Sequence, residues 1–342
     1  MNFIIVLTDK CNLRCKYCYE KEKTYSDMSV ETARKSILFV KDCITREIDL
    51  NRKEHNIVFH GGEPLLKYDM IKYFVIEFNK ISNVKIQYYI TSNGTIFKEE
   101  IAYFIKNNNI NFSISIDGTK SSHDKNRVFP DGRGSYNMVI DNSMKYLSII
   151  ENIRCRLTFS PDTINEIYSG VSTLSELGFC IFAISENFYC TEWQDNSIEL
   201  LLKQINKLKR LKENKESLKI SLLELKEHFL KEKNDCFGGI TSMTISTTGK
   251  IYPCIFNLND RRFCIGNIDD DLIRINSTAV SIHEKINRVK SICSFCSLKK
   301  YCNANRCKLL NVAVSGNSRY ANPIVCEMTK MKWRMFKEQY LK

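Results

Sequence analysis

Three cysteines fall within the short stretch DKCNLRCKYCYE (9–20): Cys11, Cys15 and Cys18. Thiols so spaced serve a disulfide staple, a zinc site or an iron-sulfur cluster. A structural zinc site takes four ligands, whereas three thiolates hold three irons of a [4Fe-4S] cube and leave the fourth iron open. No nearby cysteine supplies a fourth ligand. Eight more cysteines crowd the last third of the chain: Cys236, Cys254, Cys264, Cys293, Cys296, Cys302, Cys307 and Cys326.

Short β-branched and aromatic runs recur at 3–8, 56–60, 85–91, 111–117, 153–159 and 180–185, with helix-period segments at 29–46, 68–80, 97–107, 136–149 and 163–177 between them. Ser29 is the expected cap of the first helix. Strands alternating with helices predict an α/β fold with a parallel sheet, and six such units predict a partly closed barrel, a partial (β/α)6 architecture. Parallel sheets bind ligands beyond the carboxyl ends of their strands. The first strand ends near Thr8, so the three cysteines belong at that mouth. Residues 195–233 read as one or two charged helices, and MTISTTGKIYPC (243–254) reads as a hairpin turning at Thr248-Gly249. The expected organisation is 1–190 as the barrel, 191–235 as a helical bridge and 236–342 as a small cysteine-rich domain with a C-terminal helix.

With 342 residues, 43% of them hydrophobic, a compact core needs no staples. Met1 to Leu7 lacks a basic leader and no run approaches a membrane span, so a reducing cytoplasm is the expected location and metal ligation outranks disulfides. The net charge of +12 would ordinarily suggest nucleic acid. Each [4Fe-4S] site with four thiolates carries about −2, however, so several clusters would offset much of that excess. The lysines are also scattered through helices, apart from KKYCNANRCK and KMKWRMFK. A nucleic-acid partner and a membrane are therefore not expected.

CxxxCxxC after the first strand, with Tyr17 before the last cysteine, resembles the radical S-adenosylmethionine (radical SAM) superfamily. HGGEP (60–64), TSNG (91–94) and SIDG (115–118) follow at three successive strand ends, in that family's order. The resemblance implies one SAM-binding cluster on Cys11, Cys15 and Cys18. SAM itself would lie against Gly61, Gly62, Glu63, Asn93, Ser115, Asp117, Arg127 and Tyr17. The glycines let backbone approach the methionyl end, Glu63 can receive the ammonium, and the Arg127 guanidinium suits the carboxylate.

The C-terminal cysteines are similar to the seven-cysteine SPASM domain of peptide-modifying radical SAM enzymes. That similarity implies two auxiliary clusters, one on Cys236, Cys254 and Cys307, the other on Cys293, Cys296, Cys302 and Cys326. Four residues separate Cys302 from Cys307 where the common pattern has three. Five thiols remain. Cys43, Cys155 and Cys180 are expected in the core. Cys190 lies in a loop from which a thiol could face a substrate, although an incidental placement is expected. Cys264 either closes the first auxiliary cluster or packs against IGNID, and packing is the expectation. Packing would leave that cluster an open iron able to bind a substrate thiolate.

The activity implied is reductive cleavage of SAM to a 5′-deoxyadenosyl radical and modification of a ribosomally made peptide, by hydrogen abstraction and thioether or related crosslink formation. The stretch 293–311 and GNSRYANPIVC resemble maturases of cysteine-rich peptides. An electron donor such as flavodoxin or ferredoxin is expected. Only ten residues precede Cys11, so leader recognition would fall to a separate leader-binding protein or the barrel face, or not be needed. Sulfatase-maturating enzymes place an acid after the second SPASM cysteine; here Ile255 follows Cys254, which disfavours formylglycine formation. An RNA or small-metabolite substrate is a further alternative. A zinc-knuckle nucleic-acid-binding protein is the rival of another class, and it gives the strand-end motifs no task. No catalytic acid or base is singled out by spacing.

Overall fold

The computed structural model describes every residue except 21–24, 50–52, 234–235, 290 and 342. Six parallel strands pair in chain order: β1 (Asn2–Thr8), β2 (Glu54–Gly61), β3 (Lys85–Ser92), β4 (Asn111–Ser115), β5 (Arg154–Phe159) and β6 (Ile181–Glu186). Helices α1 (Val30–Asp49), α2 (Tyr68–Phe78), α3 (Glu99–Asn107), α4 (Lys120–Asn126), α5 (Tyr136–Leu147) and α6 (Ile167–Glu176) form the crossovers. A sheet wound one way by sequential crossovers curls into an open barrel, the architecture expected from the alternation.

Every strand buries alternate residues against the helices, as Phe3, Ile5 and Leu7 do on β1. Helix α1 begins where expected, with the Ser29 hydroxyl accepting from the Thr32 amide at 3.0 Å, and it buries Ala33, Ile37, Val40 and Ile44 on one face. Phe59 and Tyr88 from the sheet meet Phe74 and Phe78 of α2 in one aromatic layer.

The region after β6 differs from a purely helical bridge. Helix α7 (Ser197–Asn214) and the short α8 (Leu225–Phe229) flank a two-residue strand, β7 (Lys219–Ile220), which extends the sheet beside β6. Strands β8 (Ser242–Ile245) and β9 (Lys250–Tyr252) form the expected hairpin, with Gly249 in the turn at φ +79°. A Cβ there would lie 2.8 Å from the Ile268 side chain, so the turn needs glycine twice over. β8 then pairs in parallel with β1, and β10 (Gly266–Asn267) caps β9, so one ten-stranded sheet runs β10-β9-β8-β1-β2-β3-β4-β5-β6-β7. Helices α9 (Leu272–Asn287), α10 (Asn303–Arg306), α11 (Lys308–Ser315) and α12 (Pro323–Tyr340) complete the chain. Among the described residues no helix is long and apolar enough to cross a membrane.

Candidate functional site

The loop after β1 carries Cys11, Cys15 and Cys18 at the carboxyl mouth of the strands. Leu13, fully buried, anchors it from within. Its backbone is strapped to the end of α4 and the residues just beyond it, Arg14 donating to the Val128 carbonyl at 2.7 Å and Lys16 to that of Asn126 at 2.9 Å. Two N–H groups approach the Cys11 sulfur, Leu13 at 3.4 Å and Asn93 Nδ2 at 3.7 Å. Burial pushes the Cys15 thiol up to about 11, against the pull of Arg127, and Cys11 and Cys18 are near enough to add to the rise. Three mutually close thiols with N–H donors aimed at one sulfur suit thiolate ligands, whose charge such donors stabilise. Among the described residues no three His, Cys, Asp or Glu side chains form a ready site for an ion. A cubane presents a separate iron to each thiolate, so its ligands surround the core without converging on one point.

The HGGEP turn locks this loop in place. Gly62 donates to the Thr8 carbonyl and Glu63 to that of Lys10, both at 2.9 Å. A Cβ on Gly62 would stand 2.4 Å from the Lys10 oxygen, and one on Gly61 2.5 Å from that of Thr8. Glycine is thus required by the approach of the chain's own backbone, a nearer cause than the approach of a ligand. The Glu63 carboxylate, the expected ammonium receiver, has partners within the chain. It is 1% exposed and accepts from the Leu65 amide at 3.0 Å, the Ser92 hydroxyl at 3.0 Å and the Asn93 amide at 2.7 Å, tying the end of β2 to that of β3. Burial raises it to about 7 despite these donors. Asn93 in turn bonds Asn12 at 2.8 Å, so TSNG steadies the Cys11 side of the loop.

A second buried group joins Tyr17, Asp117 and Arg127. The Arg127 fork closes on Asp117 through Nε at 3.0 Å and Nη2 at 3.2 Å. Asp117 also accepts from the Tyr17 hydroxyl and from the Thr158 amide at 3.0 Å, while the guanidinium lies 5.3 Å from the Tyr17 ring centroid. Both residues expected beside SAM are therefore partnered with each other. Asp117 is committed to holding Arg127, and Arg127 already grips a carboxylate of the protein. Strand β4 ends at Ser115, two residues earlier than expected, because Asp117 turns away to make these bonds.

The C-terminal thiols gather in two places. Burial is the chief cause pushing Cys254 up to about 11, and Cys236 and Cys307 lie close enough to contribute; Cys307, raised chiefly by burial, feels Cys236 as well. Around Cys326, Lys330 opposes the upward push of burial, and Cys302 and Cys293 reinforce it. Cys296 donates its amide to the Cys293 carbonyl at 3.0 Å and lies near Lys330. Cys264 packs in the same small apolar cluster as Cys236 and Cys254, its thiol 3.5 Å from the Gly266 carbonyl. Cys43 and Cys155 are buried. Cys180 and Cys190 are only half-buried, so Cys180 departs from its expected core position.

Sequence reasoning missed a third cluster. Tyr19 reaches His60 Nε2 at 2.5 Å, and Glu20 approaches the same nitrogen at 3.1 Å. Tyr19 also packs edge-on against Phe256, with centroids 5.5 Å apart. Tyr19 and Glu20, with Tyr189, Ile255, Phe256 and Asp260, line a cleft of about 640 Å³ between the mouth loop and the C-terminal segments. The histidine of HGGEP stood at a strand end and the Tyr-Glu pair directly after Cys18, a signal visible only once both are known to face one cleft.

Residues 5–158 match the family model described as the radical SAM superfamily. The chain is 36% identical over 143 residues to a cysteine-type anaerobic sulfatase-maturating enzyme of Clostridium novyi, covering 40% of this chain and 37% of that protein. Matches to the first curated relatives span only 34% to 44% of those proteins' own lengths. Two solved structures share the fold across nearly the whole chain. One is anSMEcpe with bound AdoMet and the Kp18Cys peptide, at TM-score 0.80 and 19% identity, covering 99% of this chain and 97% of that one. The other is Streptococcus suis SuiB bound to precursor peptide SuiA, at TM-score 0.67 and 17% identity, covering 95% and 75%.

Proposed function

We propose that this chain, which belongs to the radical SAM superfamily, cleaves S-adenosylmethionine reductively and modifies a peptide held in the cleft beside Tyr19. The observation that carries the reading is the juxtaposition at one barrel mouth: three coupled thiols, the strand-end turns that brace them, and a cleft opening beside them. When bound, the cofactor pair supplies a carbon radical strong enough to take hydrogen from an unactivated C–H bond.

The protein's own work is holding and enclosing. Cys11, Cys15 and Cys18 would ligate the SAM cluster. Gly61, Gly62, Glu63 and Asn93 fix the loop that carries them, while Tyr17, Asp117 and Arg127 wall the barrel side of Cys15. Cys236, Cys254 and Cys307 would hold one auxiliary cluster and Cys293, Cys296, Cys302 and Cys326 a second, with Lys330 close by to offset charge. The peptide-bound structural relatives support a peptide substrate, and Cys254, next in sequence to the cleft-lining Ile255, supports chemistry at sulfur. An electron donor of the flavodoxin or ferredoxin kind is part of this reading.

Formylglycine formation is the second reading, favoured by the sulfatase-maturating relative. Ile255 faces the cleft where that chemistry wants a proton acceptor, and Asp260 is tied to Arg262 at 2.6 Å. Asp9 and Glu20 are the other carboxylates lining the cleft, and Glu20 meets His60 at 3.1 Å behind the wall. Anaerobic reconstitution followed by assay for 5′-deoxyadenosine tests the activity, and mass spectrometry of cysteine peptides separates the outcomes. Loss of two hydrogens from an intact cysteine peptide supports crosslinking; conversion of cysteine to formylglycine supports the second reading; absence of 5′-deoxyadenosine defeats both.

A further inference from the structure

From 285 to 326 the chain has eight lysines and arginines and no aspartate or glutamate. The two auxiliary clusters would offset about three of those charges, about two at the four-thiolate site and about one at the three-thiolate site. A basic surface remains, and within it an apolar turn stands in water. Ile292 to Phe295 form a single turn capped by the Ser291 hydroxyl, which accepts from the Cys293 amide at 3.1 Å, so its shape is fixed. Phe295 is 98% exposed, the most open large apolar side chain among the described residues, and Ile292 is 57% exposed. Each directly precedes a thiol, Ile292 that of Cys293 and Phe295 that of Cys296.

Exposed cations flank the turn on both sides. The Lys299 ammonium donates to the Ser294 carbonyl at 3.2 Å, and Arg319 adjoins the other end, its carbonyl accepting from the Ile292 amide at 3.3 Å. Lys300 and Lys330 are paired, with Glu232 at 2.6 Å and Glu327 at 2.7 Å. Among the described residues neither Lys299 nor Arg319 is ion-paired to a carboxylate. An open aromatic rimmed by unpaired cations has the anatomy of a small docking patch for an acidic partner. A second copy of this chain fits it poorly, because a two-fold contact would set Lys299 and Arg319 against their own counterparts. The peptide is accommodated elsewhere, since none of Ile292, Phe295, Lys299 and Arg319 lines the cleft.

We propose that the Ile292–Phe295 turn, rimmed by Lys299 and Arg319, is the docking surface of an acidic one-electron carrier of the ferredoxin class, seated over Cys293 and Cys296. This rests on the reading of the chain as a radical SAM protein with an iron-sulfur cluster on those two cysteines. Each encounter moves one electron: the reduced carrier is oxidised by one as the site on Cys293, Cys296, Cys302 and Cys326 is reduced by one, and no bond or proton is transferred. The patch is small, as suits a redox encounter that must form and part at every turnover.

Binding without turnover tests it, by surface plasmon resonance of an acidic ferredoxin carrying two [4Fe-4S] clusters over the immobilised, anaerobically reconstituted protein. Reversible binding is expected at about 50 mM salt, weakening about tenfold by about 300 mM. Phe295→Ala should weaken it about tenfold, the loss of one central aromatic anchor. Lys299→Glu with Arg319→Glu should weaken it at least about tenfold and remove most of the salt dependence. Lys98→Glu with Lys106→Glu, a charge reversal of the same size on the barrel, should stay within about twofold of wild type. Iron per chain and denaturation midpoint at the wild-type level show that the variants are folded. Wild-type affinity in the folded Lys299 and Arg319 variant, or an equal loss in the barrel control, overturns the proposal. So does ferredoxin that fails to bind, and a labelled single-stranded RNA of about twelve nucleotides that binds instead and is released by the Lys299 and Arg319 reversal would make this face a nucleic-acid surface. Formation of 5′-deoxyadenosine with dithionite, which needs no carrier, reports the functional reading separately. Product with dithionite but no ferredoxin binding overturns the docking surface alone; no product overturns the functional reading and this inference together.

Discussion

Replacing Asp117 with Ala should leave Arg127 ionised, enclosed and unpaired. The carboxylate is 1% exposed and accepts both arms of Arg127, the Tyr17 hydroxyl and the Thr158 amide. Removing one partner of a buried ion pair costs about 3–5 kcal/mol, because the other charge keeps its desolvation penalty. The orphaned Thr158 amide alone would add about 1–3 kcal/mol, though losses within one network do not sum. We expect about 4 kcal/mol for Asp117→Ala, close to a thousandfold in the unfolding equilibrium at about 1.4 kcal/mol per tenfold. Removing both charges tells a different story. Asp117→Leu with Arg127→Met should return to within about 2 kcal/mol of wild type, since apolar pairs often replace buried ion pairs at little loss. Urea denaturation at pH 7 under reducing conditions, on protein without clusters, reads the wild type, Asp117→Ala, the Asp117→Leu and Arg127→Met singles and their double. A single substitution costing less than about 1 kcal/mol, or a double variant as unstable as the two singles added, would refute the buried-pair argument.

Other outcomes follow from the same geometry. Glu63 is raised from 4.5 to about 7 by burial, so the folded state holds its proton longer than the unfolded state. Its stabilising contribution is present below about pH 4.5 and is lost as pH rises through about 7, a swing of about 3 kcal/mol at 1.36 kcal/mol per unit; Glu63→Gln should flatten that part of the pH-stability profile. Gly62→Ala puts a methyl 2.4 Å from the Lys10 oxygen, so the mouth loop must shift; iron retained by the protein should fall, with a stability loss of about 1–3 kcal/mol. Phe74→Ala, in the fully buried aromatic layer behind the sheet, should cost about 3–5 kcal/mol in denaturation while SAM affinity stays within about twofold of wild type. A comparable loss of affinity would mean that the core and the mouth are coupled.

The barrel was legible because its strands are short β-branched runs and its crossovers carry helical periodicity, and both signals are local. The cysteines were legible from residue type and spacing. What the sequence hid was pairing across distance. Asp117 and Arg127 are ten residues apart yet meet only because α4, which carries no strong apolar period, folds back under the mouth loop. Glu63 reads as a free acid until its three donors from β3 and the turn are seen. Strand β7 was hidden by its two-residue length, and the union of β8 with β1 by the more than two hundred residues between them.

The central claim is that the mouth thiols and the two C-terminal groups hold separate iron-sulfur clusters. Anaerobic purification and reconstitution, with iron, acid-labile sulfide and zinc counted per chain, tests it most directly beside a variant in which Cys11, Cys15 and Cys18 are all Ala. The account predicts about twelve irons in the wild type and about eight in the variant, which should bind SAM no longer. Zinc with little iron, or an iron count unchanged by the triple substitution, would contradict it.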